Sequence, residues 1–271
     1  MNKRKFNPSA KGFSKLNLAY LAFCSNLAYE SKEKIRLNME SQGFNLERDN
    51  YFFSDSVTGT QCFIVGDNKK IIITFRGTEG KVADWVTDIQ LFKDTWTNST
   101  PIGQVHKGFY KALQAVFLNI ENEINTLRTN NQTIWVTGHS LGGALATLAA
   151  ATLKFQGSEI HFNGLYTFGQ PRLGDRMFAN AFNKYLKQKC FRVVNNNDVV
   201  SRVPPQIFGY SHVGTLKYFD VNGKLHSDSS LSWWAKFWDR LEGRYDNGFD
   251  IIPDDISDHS MDIYQSLSEH T

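Results

Sequence analysis

The sequence predicts one α/β domain, in which a mostly parallel central sheet is flanked by helices. Short runs of β-branched and aromatic residues alternate with segments of helical periodicity through the middle of the chain, a pattern typical of βαβ units. No repeat, low-complexity stretch or proline-rich linker divides the 271 residues. We therefore expect a single domain over residues 1–271.

The predicted strands are near-continuous apolar runs, which are typical of a sheet covered on both faces. They span residues 62–65, 71–75, 134–137, 165–168 and 191–194. Apolar side chains at three- and four-residue spacing predict helices over residues 109–127 and 141–152. The same spacing predicts a last helix that contains Met261, Tyr264 and Leu267.

The N-terminal segment imitates a signal peptide, because a basic start precedes an apolar stretch. That stretch begins late, is interrupted by Asn17 and lacks a clear small-x-small cleavage site. Apolar residues continue to Ile35 and favour an amphipathic first helix. A cytoplasmic location is the default expectation, with secretion left open. No run approaches the roughly 18 apolar residues of a membrane span, so no transmembrane segment is expected.

Composition and charge exclude several classes of protein. With 41% hydrophobic and 14% aromatic residues, the chain is not typical of a disordered protein. The net charge is only +3, and the basic residues do not form the clustered patch that is typical of nucleic-acid-binding proteins. Three widely spaced cysteines form no metal-binding pattern, and we expect them to be small apolar core residues.

A serine in a glycine-rich turn carries the strongest functional signal. Residues 138–142 read Gly-His-Ser-Leu-Gly and fit the pattern G-x-S-x-G, between the predicted strand 134–137 and an alanine-rich helix. The glycines let strand and helix approach closely, while the strained turn presents the serine hydroxyl. Ser140 is therefore the candidate nucleophile. The alternative is an ordinary serine in a glycine-rich turn.

A nucleophilic serine needs a histidine base and an acid that orients it. On this architecture the acid and then the histidine follow the serine along the chain. His161 precedes the candidate acids, His226 lies in a polar turn and His270 is next to last. His212 precedes a predicted strand and has the features of a structural histidine, whereas His259 opens the last helix. We favour His259 as the base, with His212 as the alternative.

Asp198 is the favoured acid because it closely follows the strand predicted over residues 191–194. The carboxyl ends of parallel strands converge on the crevice where α/β proteins bind ligands. Asp175 stands at a helix start, where N-capping is the simpler role. Asp220 lies in a later strand-turn element and is the reserve candidate.

With these motifs, the chain resembles the class 3 (fungal-type) triacylglycerol lipases of the α/β-hydrolase fold over residues 16–264. Residues 74–78 resemble the family's oxyanion strand and loop, 85–88 the end of its lid, and 105–109 its next helix start. Residues 167–172, 197–200 with 203–205, and 258–260 resemble its later strand ends and terminal histidine turn. The tryptophan-rich stretch before that turn looks more like bacterial members.

The resemblance implies the same nucleophile, acid and base, and it adds an oxyanion hole. The donors would be the backbone N–H groups of Thr78 and Leu141. Asp88 would tether the Thr78 hydroxyl, and the alternative is an ordinary surface threonine at position 78. Ester hydrolysis of this kind needs no metal or organic cofactor, so none is expected. Secreted fungal relatives use disulfides and signal peptides, which this chain does not clearly show.

A lid is expected over approximately residues 79–91. Val82, Trp85, Val86 and Ile89 share one face of a predicted helix. The resemblance favours a lid that opens against lipid, and the alternative is a surface helix packed permanently on the sheet. A second aromatic cluster over residues 231–241 would either contact lipid or belong to the core.

The resulting hypothesis is a serine carboxylic-ester hydrolase, namely a triacylglycerol lipase that acts on acylglycerol or fatty-acid esters. A phospholipase A1 and a feruloyl-type or short-chain carboxylesterase share the same triad and stay open. A non-catalytic lipase-like binding protein is a further alternative. The expected partners are a lipid or ester substrate and a transient lipid–water interface, without nucleic acid.

Overall fold

The structure is a computed structural model, and it describes residues 3–47, 49–78, 91–96, 102–156, 158, 160–196, 198–227 and 257–271. Ten strands lie within these residues. They are β1 (Phe52–Ser54), β2 (Gln61–Gly66), β3 (Lys70–Phe75), β4 (Lys93–Thr95), β5 (Gln104–His106), β6 (Thr133–His139), β7 (Gly164–Phe168), β8 (Cys190–Asn195), β9 (Thr215–Phe219) and β10 (Leu225–Ser227). Eight of them form one sheet in the order β1-β2-β3-β6-β7-β8-β9-β10, and β4 pairs with β5 separately.

The centre of the sheet is parallel, as the alternation of strands and helices predicts. Strands β3, β6, β7, β8 and β9 run parallel to their neighbours in that series. The edges are antiparallel, because β1 pairs with β2, β2 with β3, and β10 with β9. All five predicted strands are present, as β2, β3, β6, β7 and β8.

Helices cover both faces of this sheet. They are α1 (Lys15–Leu27), α2 (Lys32–Ser41), α3 (Lys107–Leu127), α4 (Leu141–Phe155), α5 (Arg176–Leu186) and α6 (Met261–Glu269). In β3, Ile71 and Ile73 belong to the core cluster that includes side chains of α3, α4 and α5, whereas Ile72 belongs to the cluster that includes side chains of α1, α2 and α6. This alternation follows from the two-residue period of a strand and explains why the strand sequences are apolar throughout.

The N-terminal segment is helical, but the prediction of one amphipathic helix there is wrong. The segment is two helices, α1 and α2, because the Ser31 side chain accepts from the Lys34 N–H and starts a second helix. Nor is α1 amphipathic, since it is buried at most of its positions. Its buried polar residues are hydrogen-bonded: Asn17 to Asn7, and Ser25 to Thr137.

The three cysteines lie where the sequence analysis expects them. Cys24, Cys62 and Cys190 are free thiols, and all three are buried as expected. Among the helices that are described, none has both the length and the hydropathy of a bilayer span. The carboxyl ends of β6, β7 and β8 lie side by side, and the chain segments that leave them build the candidate site.

Candidate active site

Ser140 lies at the sharp turn between β6 and α4, in the strand–turn–helix context that the sequence predicts. Its backbone has φ 57° and ψ −129°, a strained conformation for a residue with a side chain. The flanking glycines permit this turn. A Cβ added to Gly138 would overlap the Gly142 carbonyl oxygen, and one added to Gly142 would overlap the Phe75 carbonyl oxygen.

His259 and Asp198 form a pair in the interior of the protein. The His259 Nδ1 atom lies 2.9 Å from Oδ2 and 3.0 Å from Oδ1 of Asp198. The two side chains are 1% and 0% exposed, so water does not compete for this contact. Because an ionised carboxylate can only accept hydrogen bonds, Nδ1 carries a proton, and in the neutral imidazole Nε2 is then the nitrogen with the lone pair. That Nε2 atom is buried and has no hydrogen-bond partner among the described residues.

The Asp198 carboxylate is held by two further donors. Tyr264 Oη donates to Oδ2 over 2.6 Å, and the Val200 N–H donates to Oδ1 over 2.8 Å. Burial alone would raise the pKa of Asp198, but the contacts with His259 and Tyr264 lower that pKa overall. Asp198 is therefore an anion at neutral pH, suited to orient an imidazole and to stabilise its protonated form.

The Phe168–Gly169 segment after β7 joins Ser140 to this pair. The Ser140 N–H donates to the Phe168 carbonyl over 2.9 Å. A Cβ added to Gly169, whose φ is +55°, would lie 2.6 Å from Asp198 Oδ2 and 2.7 Å from His259 Nδ1. The structure thus gathers the three predicted residues Ser140, Asp198 and His259 at one edge of the sheet.

The backbone around the predicted oxyanion hole is also close to Ser140. Leu141 is the first residue of α4, so its N–H has no acceptor within the helix. A Cβ added to Gly77 would lie 3.2 Å from Ser140 Cβ, which places the chain just before Thr78 against the serine. Asp88 and the four predicted lid residues Val82, Trp85, Val86 and Ile89 lie outside the described residues.

The other candidate histidines have different roles or positions. His212 Nε2 is hydrogen-bonded to the Ser201 carbonyl over 2.8 Å, as expected of a structural histidine. His226 Nε2 lies 2.7 Å from Asp220 Oδ2, so the reserve acid pairs with a different imidazole. His161 is exposed. Of these residues, none contacts the His259–Asp198 pair through a described hydrogen bond.

Asp175 caps α5, as its position at a helix start predicts, since its carboxylate accepts from the Phe178 N–H over 2.8 Å. No cluster of three or more metal-ligating His, Cys, Asp or Glu side chains occurs within the described ranges.

Two residues near the site carry no role in the sequence analysis. The sequence pattern identifies Tyr264 only as a residue on the apolar face of the last helix, whereas in the structure its hydroxyl donates to Asp198. His139 stands at an unspecified position of G-x-S-x-G, but its ring centroid lies 4.4 Å from that of His259. The available signals were a histidine adjacent to Ser140 and a tyrosine in the helix that follows His259. Contacts between distant segments, however, cannot be read from sequence spacing.

The buried His139 imidazole predicts a loss of stability in mild acid. Burial, followed by the nearby His259, lowers the pKa of His139 from 6.5 to about 3. Between these values the unfolded chain binds a proton that the folded protein does not bind, so the free energy of unfolding falls as the pH falls. The slope is at most about 1.4 kcal/mol per pH unit for this group.

Urea unfolding between pH 4 and pH 7 measures this slope. We expect His139→Gln to make the dependence shallower below pH 6.5, whereas a control substitution of the exposed His161 by Gln leaves the dependence unchanged. Equal slopes for the wild type and His139→Gln would contradict the assignment of a neutral buried imidazole.

Comparison with known proteins relates the part of the chain that carries Ser140 and Asp198 to one family. Residues 72–208 match the family model of lipase (class 3). A secreted mono- and diacylglycerol lipase of Fusarium solani is 36% identical over 196 residues, which cover 69% of this chain and 57% of that protein. A triacylglycerol lipase of Ricinus communis is 31% identical over 72% of this chain and 48% of its own length. The chain thus spans about half the length of these curated relatives.

Solved structures show the same fold. The triacylglyceride lipase of Rhizomucor miehei matches with a TM-score of 0.63 and 25% identity, over 78% of this chain and 82% of that one. A triacylglycerol lipase whose catalytic centre is described as a serine protease triad matches with a TM-score of 0.65, 25% identity and the same coverage. The mostly parallel sheet with flanking helices is the α/β-hydrolase fold, and the chain belongs to the class 3 lipase family.

Proposed function

We propose that this protein is a serine carboxylic-ester hydrolase that cleaves acylglycerol or fatty-acid esters. The observation that carries the proposal is the buried His259–Asp198 pair beside the strained Ser140 turn, with the His259 Nε2 atom unpaired among the described residues. This arrangement combines a nucleophile, a base and an orienting anion, which is the minimum set for acyl transfer through a serine.

The proposed reaction proceeds through an acyl-enzyme. His259 Nε2 takes the proton of Ser140 Oγ as the oxygen attacks the ester carbonyl. The backbone N–H groups of Leu141 and Thr78 would stabilise the negative oxygen of the tetrahedral intermediate. The imidazolium then protonates the leaving alcohol, and Asp198 stabilises the cation in the meantime. Water, activated by the same imidazole, releases the fatty acid and restores Ser140.

The substrate class is proposed from the family and the relatives. One relative is named as a mono- and diacylglycerol lipase and another as a triacylglycerol lipase, so a lipid ester is the shared substrate chemistry. We propose acylglycerols for this chain, organised as one domain over residues 1–271. A lid over residues 79–91 would cover the serine in water and open at a lipid surface. Of that segment the structure describes Leu91, which is 37% exposed.

The chain-length profile of hydrolysis tests this proposal. Rates should be measured on p-nitrophenyl esters from acetate to palmitate, on emulsified triacylglycerol and diacylglycerol, and on phosphatidylcholine vesicles. We expect a marked preference for emulsified acylglycerol over the same ester below its solubility limit, because lid opening depends on the interface. Strong hydrolysis of phosphatidylcholine would instead support a phospholipase, and activity confined to soluble short esters would support an esterase.

A fluorophosphonate probe separates an enzyme from a binding protein. The probe should form one covalent adduct, which peptide mass spectrometry should locate on Ser140. Failure of the wild-type protein to react would contradict the proposed function, since an activated serine with an oxyanion hole reacts with such phosphonates.

A further inference from the structure

A chain of contacts outside the triad joins the three segments that meet at Ser140. The Tyr29 hydroxyl lies against the backbone of Gly77. Tyr29 Oη lies 2.7 Å from His139 Nδ1, and His139 Nε2 lies 2.8 Å from the carbonyl oxygen of His259. These contacts therefore connect the residue before Thr78, the residue before Ser140 and the backbone of His259.

Only one set of proton positions satisfies every bond in this chain. The His259 carbonyl can only accept, so His139 Nε2 carries a proton and donates it. A neutral imidazole has one donor and one acceptor, and His139 is neutral because burial lowers its pKa to about 3. His139 Nδ1 must then accept from the Tyr29 hydroxyl. The Tyr29 hydroxyl thus donates to His139 and packs against the Gly77 backbone.

The contacts are tight enough to fix the loop that carries Thr78. A Cβ added to Gly77 would overlap Tyr29 Oη and would lie 2.8 Å from the His139 carbonyl oxygen. Tyr29 itself is held just after α1, where its N–H donates to the Asn26 carbonyl over 3.1 Å. Gly77 is thereby held between the Tyr29 hydroxyl and the Ser140 turn.

The His139 ring also packs against the proposed base. The ring centroids of His139 and His259 are 4.4 Å apart, with an angle of 31° between the planes. His259 becomes a cation when it takes the serine proton, and a second cation at that distance would oppose the transfer. The Tyr29 hydroxyl occupies the one nitrogen on which His139 could be protonated, and so favours the neutral ring.

We propose that Tyr29 is a positioning residue, which acts through His139 to hold the Thr78 loop and the His259 turn in place around Ser140. Tyr29 does not touch the reacting atoms in this scheme. It donates to Nδ1 of the His139 tautomer that binds the His259 carbonyl, and its hydroxyl packs against the backbone beside the oxyanion donor. The inference rests on the proposed ester hydrolysis.

Tyr29→Phe tests the proposal by removing a single hydroxyl. We expect kcat for a soluble p-nitrophenyl ester to fall about 10- to 100-fold with KM nearly unchanged, because misplaced catalytic groups affect the transition state more than ground-state binding. The matched control is Tyr166→Phe. The Tyr166 side chain is buried and its hydroxyl accepts from the Ser14 N–H over 2.8 Å, so this variant should lose stability but keep kcat.

A double-mutant cycle with His139→Phe identifies the connection. Phenylalanine keeps an aromatic ring but has no ring nitrogen, so it can bond neither the Tyr29 hydroxyl nor the His259 carbonyl. If Tyr29 acts through His139, Tyr29→Phe should lower kcat less than about threefold in the His139→Phe background. Independent, additive effects on kcat, or a kcat for Tyr29→Phe within about twofold of the Tyr166→Phe value, would overturn the proposal.

A readout without substrate separates this inference from the proposed function. Histidine-selective ¹⁵N NMR should show His139 as the Nε2–H tautomer in the wild type, and Tyr29→Phe should shift the Nδ1 resonance because that nitrogen loses its hydrogen-bond donor. An Nδ1–H tautomer in the wild type would overturn the hydrogen-bond chain, whatever the activity. Absence of fluorophosphonate labelling with the expected tautomer intact would overturn ester hydrolysis instead.

Discussion

Ser140→Ala is expected to abolish ester hydrolysis while the fold stays intact. Without Oγ no acyl-enzyme can form, and His259 has no hydroxyl to activate. In serine hydrolases with a comparable triad, loss of the nucleophile lowers kcat by about 10⁶-fold, which leaves only the contributions of the oxyanion hole and substrate binding. We expect a fall of at least about 10⁴-fold on a short p-nitrophenyl ester, and no fluorophosphonate adduct.

Alanine is the informative substitution because it removes one atom and keeps the backbone restraint. Ser140 has φ 57°, and alanine retains the Cβ that makes this conformation strained. The melting temperature should therefore stay within a few degrees of the wild-type value. Ser25→Ala serves as a control, since Ser25 is buried and bonded to Thr137 but lies on α1. Retained hydrolysis in Ser140→Ala would refute the mechanism.

The sequence predicts the centre of this fold well and its edges poorly. Strands β3 and β6 are long apolar runs, and the βαβ pattern places them in a parallel sheet. Strands β1 and β10 have three residues each, too few to show a period. The break between α1 and α2 is not evident from Leu27, Ala28 and Ile35, whose spacing fits a single helix. The residues 30–34 between them are polar, and Ser31 decides the boundary through one hydrogen bond.

The candidate site shows the same division between local and long-range information. Ser140 is predictable because G-x-S-x-G is local, and the chain order of the fold then selects Asp198 and His259. The contacts that orient them are not local. Tyr264 donates to Asp198 across 66 residues, and Tyr29 bonds His139 across 110 residues. Nothing in their spacing predicts these contacts, which depend on how α1 and α6 pack on the sheet.

Asp198→Asn is expected to lower kcat by about 10⁴-fold with little effect on the fold, as the equivalent change does in a well-studied triad. The Asp198 carboxylate accepts from His259 Nδ1, from Tyr264 Oη and from the Val200 N–H. An asparagine side chain replaces one oxygen with an NH₂ donor. If that donor faces His259, the imidazole must accept at Nδ1 and carry its proton on Nε2. An Nε2–H tautomer cannot take the Ser140 proton.

Tyr264→Phe separates the effect of charge and tautomer from that of a single lost hydrogen bond. It leaves the carboxylate with two donors, so we expect kcat to fall only about 10-fold, in line with one lost bond to a charged group. Steady-state kinetics on a soluble ester, with circular dichroism as the test of folding, compares the two variants. The proposed role of Asp198 would be contradicted if Asp198→Asn kept more than about a tenth of the activity. The hydrogen bond from His139 to the His259 carbonyl could not explain such activity, because it fixes the main chain of His259 and does not choose which ring nitrogen carries the proton. The result would therefore count against Asp198 and not against the bond from His139.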